Sequence, residues 1–301
     1  MKTESIEYYK NQNPEYYKDK GVIVTGATGG IGSLLISALI QLGARVVAVV
    51  RDIKKLNELF ALNIKEGSLQ YQLIDFKTET DYRSAFSKIM LKLEGKLDIM
   101  FLCHGQFSNS EIMSTSLKEY DNLVNINTRS IMAMISLAVP FLKYTNGNIV
   151  AISSLESFIP VKTSFLNTTT KCMVNMIIQN TALELASFGI RVNGVAPGVT
   201  STNYRFEELE EPKKENNEKF LKIKSENNLL TKNVIQPDEI VDVMLFLGCE
   251  DAGFITGEII KVDGGYSLNH NCSYNKPKQI NDNKDIWLFD YIKIKLKSIL
   301  L

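Results

Sequence analysis

The sequence lacks an excess of either charge: 34 Lys and Arg stand against 34 Asp and Glu, a formal net charge of +0 at pH 7. A nucleic-acid-binding protein needs a basic face or stripe, so no nucleic-acid partner is expected. Cysteine is sparse and unpatterned. Cys103, Cys172, Cys249 and Cys272 lie far apart with no CxxC pair, which speaks against a disulfide framework or a zinc site and for reduced thiols. No metal is expected. There is also no apolar run long enough to cross a bilayer. Residues 1–20 carry Lys2, Lys10, Lys18 and Lys20 against Glu4, Glu7, Glu15 and Asp19. A cleavable mitochondrial presequence is Arg-rich and poor in acids, and a secretory signal has an apolar stretch; neither is visible. The default expectation is a cytoplasmic protein, not a secreted one. Uncleaved or internal targeting, including to a mitochondrial complex, stays open.

What is present is ordinary globular material, 45% hydrophobic and 23% charged over 301 residues, long enough to bury a core without cross-links. From residue 21 onward, short β-branched runs alternate with longer helical patterns, as in a parallel sheet with crossover helices. The expected strands are Val22–Thr25, Arg45–Val50, Leu69–Ile74, Leu97–Leu102, Asn148–Ile152, Arg191–Val195 and Glu258–Val262. Helices are expected at Ile31–Leu42, Thr80–Leu93, Ser130–Leu142 and Thr170–Phe188, among others. Near-continuous apolar strands imply a sheet covered on both faces. The fold class that follows is α/β, a single doubly wound parallel-sheet domain over 21–266, with an N-terminal extension over 1–20 and a C-terminal extension over 267–301.

Two segments break the rhythm. Residues 203–236 are densely charged and read as a solvated insertion or, since they follow a candidate cofactor loop, as a lid. Asp285–Leu301 packs Ile286, Trp287, Leu288, Phe289, Tyr291, Ile292, Ile294, Leu296 and Ile299 among three lysines. Such a patch is expected to dock, on its own domain, a twin subunit, a protein partner or a membrane surface.

After the first strand comes Thr25-Gly26-Ala27-Thr28-Gly29-Gly30-Ile31-Gly32, leading into an apolar helix. Glycines let the backbone turn sharply and approach a pyrophosphate, while the helix N-terminus supplies N–H groups and a positive dipole end. This is the chemistry of a Rossmann-type dinucleotide site. The spacing G-x-x-x-G-x-G resembles the fingerprint of the short-chain dehydrogenase/reductase family. Further motifs follow in the family's order: Asp75 ending the third strand, Arg191 through Gly198, and Pro237 through Ile240, continuing past Ile255-Thr256-Gly257 to Val262-Asp263-Gly264-Gly265. The resemblance spans about residues 20–266. It implies that Gly26, Thr28, Gly30, Ile31, Gly32, Asp75, Gly105, Lys171, Pro197, Gly198 and Thr202 contact a nicotinamide dinucleotide. Asp75 would meet the adenine ring and Thr202 the carboxamide.

An acid ending the second strand binds a ribose 2′-hydroxyl and repels a 2′-phosphate. Here the strand is expected to end at Val50, followed by Arg51, whose guanidinium suits a phosphate. NADP(H) is therefore favoured. NAD(H) stays open, because Asp52 would become the discriminating acid if the strand ran two residues further.

The family's chemistry uses a tyrosine, a lysine four residues later, a serine that orients the substrate oxygen and an asparagine. The resemblance maps the serine to Ser154, the lysine to Lys171 and the asparagine to Asn127. Counting thirteen on from Ser154, or four back from Lys171, reaches the tyrosine position, which is Asn167. A carboxamide has no titrating proton near neutral pH, and losing a positioned acid–base group forfeits about 10²–10⁴ in rate. His104 and Tyr204 are the candidate substitutes. The family's Asn-Ala-Gly is replaced here by Cys103-His104-Gly105.

Two functions follow. In the first, impaired turnover leaves a nucleotide-binding accessory or scaffold subunit of a larger assembly. In the alternative, the chain is an active NADP(H)-dependent oxidoreductase of a small alcohol or carbonyl with a non-standard acid–base group. Helices Ser130–Leu142 and Thr170–Phe188 match the pair through which the family associates. Met132, Met134, Met173, Met176 and Ile177 on them would serve a homo-oligomer interface or the core equally well.

Overall fold

The structure is a computed structural model that describes residues 16–108, 110–202, 226, 228–231 and 233–269. Tyr204, most of the charged insertion and the apolar segment 285–301 lie outside these residues. Among those described, the strands are β1 (Gly21–Thr25), β2 (Arg45–Val50), β3 (Leu69–Leu73), β4 (Ile99–Leu102), β5 (Asn148–Ile152), β6 (Arg191–Pro197) and β7 (Ile259–Val262). They form one parallel sheet in the order β3-β2-β1-β4-β5-β6-β7. The helices are α1 (Gly30–Gln41), α2 (Ile53–Glu66), α3 (Tyr82–Lys92), α4 (Leu117–Val124), α5 (Ser130–Thr145), α6 (Phe165–Leu185), α7 (Pro237–Gly248) and α8 (Tyr266–Asn269). None of these is long and apolar enough to cross a membrane.

The two-residue period of the strands sorts their side chains into two layers. Val22, Val24, Phe101 and Val150 face α1 and α7, meeting Leu35, Leu39, Val241 and Met244. Ile23, Met100, Leu102 and Ile149 face the other way, toward Phe86 and Ile89 of α3, Met134 of α5 and Val174 of α6. Apolar side chains on both faces explain why these strands read as continuous apolar runs.

The chain enters this core before β1. Tyr17 is buried and its hydroxyl donates to the Leu245 carbonyl at 2.6 Å; Tyr16 donates to Gly248 at 3.0 Å. At the other end of the strand expectations, β4 starts two residues later than predicted and β6 runs two residues further. The larger difference is α6, which begins at Phe165 rather than Thr170. Three successive threonines, being β-branched, are poor helix formers. Their hydroxyls are accommodated by bonding backward: Thr169 Oγ1 donates to the Phe165 carbonyl at 2.9 Å and Thr170 Oγ1 to Leu166 at 2.8 Å. Asn167 consequently lies on the first turn of a regular helix, one turn from Lys171. On α5 and α6 the methionines divide: Met134 is buried, whereas Met132 and Met176 are exposed.

Candidate active site

Strand order reverses between β1 and β4, so their crossover connections leave in opposite directions and open a crevice at the carboxyl ends. A cleft of about 880 Å³ occupies this position. Every residue expected from sequence to hold a dinucleotide lines it, as do Ser154, Asn167 and Lys171. Asn127 does not.

The floor of the cleft is the glycine turn. Gly26 has φ 63°, and a Cβ there would stand 2.7 Å from the carbonyl carbon of Cys103 and the nitrogen of His104. Any side chain would push β1 and β4 apart. A Cβ on Gly32 would collide with the Gly26 carbonyl. Helix α1 starts at this turn with Gly29 as its N-cap, without a side-chain capping bond and without an acid in its first turn. An unclaimed helix N-terminus above side-chain-free backbone fits a diphosphate.

At the far end, β2 stops at Val50, and Asp52 becomes the N-cap of α2, its Oδ1 accepting from Lys54 N at 2.8 Å. Arg51 lies between them, exposed, and Lys55 also lines the cleft, together with Glu58. Asp75 lies two residues beyond the end of β3, and its Oδ1 accepts from Lys77 N at 3.0 Å.

His104 is buried behind this floor. Its Nδ1 is 2.6 Å from Thr25 Oγ1 and its Nε2 2.6 Å from Ser130 Oγ, and the ring stacks on Phe76 at 4.1 Å. Ser130 gives its proton to the Ile126 carbonyl at 2.6 Å, so it accepts from Nε2–H, and Nδ1 accepts from Thr25. Burial, and secondarily the Lys171 charge, pull the His104 pKa from 6.5 down to about 3. A neutral imidazole with both nitrogens engaged joins two elements; it does not titrate in the neutral range.

The other end of the cleft carries the reactive groups. Ser154 follows β5, partly exposed, and its Oγ accepts from Glu156 N at 3.1 Å. Lys171 on α6 is 2% exposed and donates to the Ile152 carbonyl at 2.9 Å. Burial lowers its pKa to about 8, against the opposing pull of Cys103 and Glu156. Asn167 is 2% exposed, and its Nδ2 donates to the Glu156 carboxylate. Glu156 is itself only 5% exposed and lines the cleft. Asn127 lies in a π-type turn (Asn125–Arg129) with its side chain directed at backbone. Its Oδ1 accepts from Gln106 N at 2.8 Å, and its Nδ2 donates to the Gln106 carbonyl at 2.9 Å and to Thr170 Oγ1 at 3.1 Å.

Sequence reasoning missed Glu156, Lys55 and Tyr266, the one tyrosine among the described residues that lines the cleft. Glu156 had a signal: it is an acid two residues after Ser154 in an otherwise uncharged stretch, Ile149–Pro160.

Comparison with known proteins gives a consistent likeness. A family model described as enoyl-(acyl carrier protein) reductase matches residues 26–267. A tropinone reductase homologue of Arabidopsis thaliana is 30% identical over 257 residues, covering 84% of this chain and 92% of the relative. A 7alpha-hydroxysteroid dehydrogenase of Clostridium sardiniense is 28% identical over 254 residues, covering 83% and 94%. Among solved structures, a short-chain dehydrogenase/reductase of unknown function from Caenorhabditis elegans, with cofactor, superposes with a TM-score of 0.76 at 25% identity. The match covers 85% of this chain and 97% of that one.

Proposed function

The chain belongs to the short-chain dehydrogenase/reductase family of oxidoreductases, and from that premise we propose that it is an active NADP(H)-dependent oxidoreductase of a small alcohol–carbonyl pair. The observation that carries this reading is the convergence of Ser154, Lys171, Asn167 and Glu156 on the cleft that also contains the glycine turn. A bound nicotinamide dinucleotide supplies or accepts the hydride equivalent.

The chain's own residues do the rest. Backbone N–H groups at Gly30–Gly32 hold the diphosphate. Arg51 and Lys55 favour a 2′-phosphate, and Asp52 lies beyond the end of β2, with one oxygen engaged in capping α2. Lys171 holds the ribose hydroxyls, and the Ser154 hydroxyl orients the substrate oxygen. Exposed Met132, Met176 and Leu183 on α5 and α6 support pairing of two copies through these helices.

A second reading, binding without turnover, is favoured by Asn167, which we place at the family's tyrosine position; an accessory subunit would be one form of it. Fluorescence titration with NADPH and NADH, followed by absorbance assays over a panel of ketones, aldehydes and alcohols, separates the two. Oxidation of NADPH by the wild-type protein with any member of the panel supports the oxidoreductase. Tight binding without turnover, with activity emerging only in Asn167→Tyr, establishes the second reading.

A further inference from the structure

We propose that the Glu156 carboxylate, held by Asn167, carries the proton to and from the substrate oxygen. The inference rests on the oxidoreductase reading above and assigns its missing acid–base group.

Position is the first argument. Glu156 lies two residues after Ser154, in the wall shared with Lys171, and it is buried rather than turned out to bulk water. Burying a carboxylate is unfavourable by several kcal/mol unless polar partners meet it. Here Asn167 meets it with an amide hydrogen, and the Ser154 hydroxyl accepts from its backbone N–H.

Reach is the second. From the same Cα, an asparagine amide nitrogen stops about 3 Å short of a tyrosine hydroxyl, and a hydrogen bond spans about 3 Å. A carboxylate oxygen bonded to the Asn167 amide is therefore within the reach from α6 that a phenol hydroxyl at position 167 would have. The outer atom of the pair is again an oxygen that can bind a proton.

Electrostatics is the third. The charges of Lys171 and Glu156 act on one another across this wall, Glu156 opposing the fall that burial imposes on the Lys171 pKa.

The competing groups that line the cleft are worse suited. His104 is neutral, with both ring nitrogens occupied. The Cys103 thiol is pushed up to about 12 by burial. Tyr266 packs with Leu155 and Ile159 in an apolar cluster.

In the oxidation direction, the alcohol O–H bond breaks and its proton passes to the Glu156 carboxylate. The carbinol C–H bond breaks, its hydrogen leaving with the electron pair to an oxidised nicotinamide dinucleotide. The C=O bond forms, and the carboxylic acid releases its proton through the cleft. Carbonyl reduction runs the same path in reverse, the acid protonating the oxygen.

The test is Glu156→Gln, which keeps the size and an acceptor for Asn167 but cannot carry the proton. The expected result is a fall in kcat of about 10²–10⁴, with KM and the NADPH dissociation constant, measured by fluorescence, within about threefold of wild type. Glu156→Asp retains part of kcat, and formate, a small carboxylic acid, restores part of it to Glu156→Ala. Asn167, acting through Glu156, is a positioning residue; Asn167→Ala lowers kcat and leaves the NADPH dissociation constant unchanged. Glu156→Gln with wild-type kcat overturns the proposal, as does a rise in KM alone, which would make Glu156 a substrate-binding group. Loss confined to Tyr266→Phe hands the proton to that phenol and also overturns it. A wild-type protein that binds NADPH but turns over nothing takes down the oxidoreductase reading as well. An active wild type with an equally active Glu156→Gln removes only the inference.

Discussion

His104 offers the sharpest test of the electrostatics behind the cleft floor. The folded protein holds it neutral, with a pKa near 3, whereas the unfolded chain titrates near 6.5. As pH falls below 6.5 the unfolded state takes up a proton that the folded state refuses. Stability present above that value is therefore lost progressively as pH falls toward 3. Between pH 7 and pH 4.5 this linkage amounts to about 2–3 kcal/mol, taking 1.36 kcal/mol for each unit of separation. Glutamine at 104 does not titrate, so His104→Gln removes the linkage whatever fixed loss it brings from disturbing Thr25 and Ser130. The assay is reversible urea unfolding of both proteins at several pH values across this window. The wild-type curve should fall more steeply toward acid than the variant's, by the stated amount. Parallel curves would refute the buried, doubly bonded neutral imidazole and the tautomer derived from it.

Three further outcomes follow from other parts of the molecule. Gly26→Ala must place a methyl group against the Cys103–His104 backbone just past β4, at positive φ; it should destabilise the fold by about 1–3 kcal/mol and weaken dinucleotide binding at least tenfold, read by thermal melts and fluorescence titration. Arg51→Glu should weaken NADPH binding by about 10–100-fold while changing NADH binding by less than about threefold, and equal effects on both would remove the 2′-phosphate assignment. Tyr17→Phe deletes a buried bond to Leu245 and should cost about 1 kcal/mol in denaturant unfolding, with nucleotide affinity unchanged.

Features that a local pattern dictates are legible in the sequence. Strands β2 and β5 have the predicted ends, because an apolar run bounded by polar turns leaves little freedom where a buried strand begins and stops. The glycine turn was equally plain, since only backbone without side chains can pass Gly26 beneath Cys103. Features settled by tertiary contacts were not. The start of α6 depended on whether threonine hydroxyls could find backbone acceptors. Asp75 was expected at a strand end, but β3 stops at Leu73, where its pairing with β2 runs out. The bonds that tie the Asn127 side chain to the loop after β4 were equally invisible in the sequence. Glu156 stood out only as a lone acid in an uncharged stretch; that its carboxylate is buried is a property of the assembled cleft. His104 illustrates the same limit from the other side: its residue type suggests titration, and its neighbours forbid it.

The single amide of Asn127 has a mechanical consequence. By exchanging two hydrogen bonds with the Gln106 peptide it imitates an adjacent strand one residue long, and its third bond reaches Thr170, next to Lys171. One side chain thus ties the loop after β4, which lines the cleft, to the helix that bears the lysine. The wide π-type turn sets the angle of that linchpin. Removing one residue from 125–129 would swing it by about 100° around the helix axis, and the two halves of the pocket would drift independently although no group facing the nucleotide had changed.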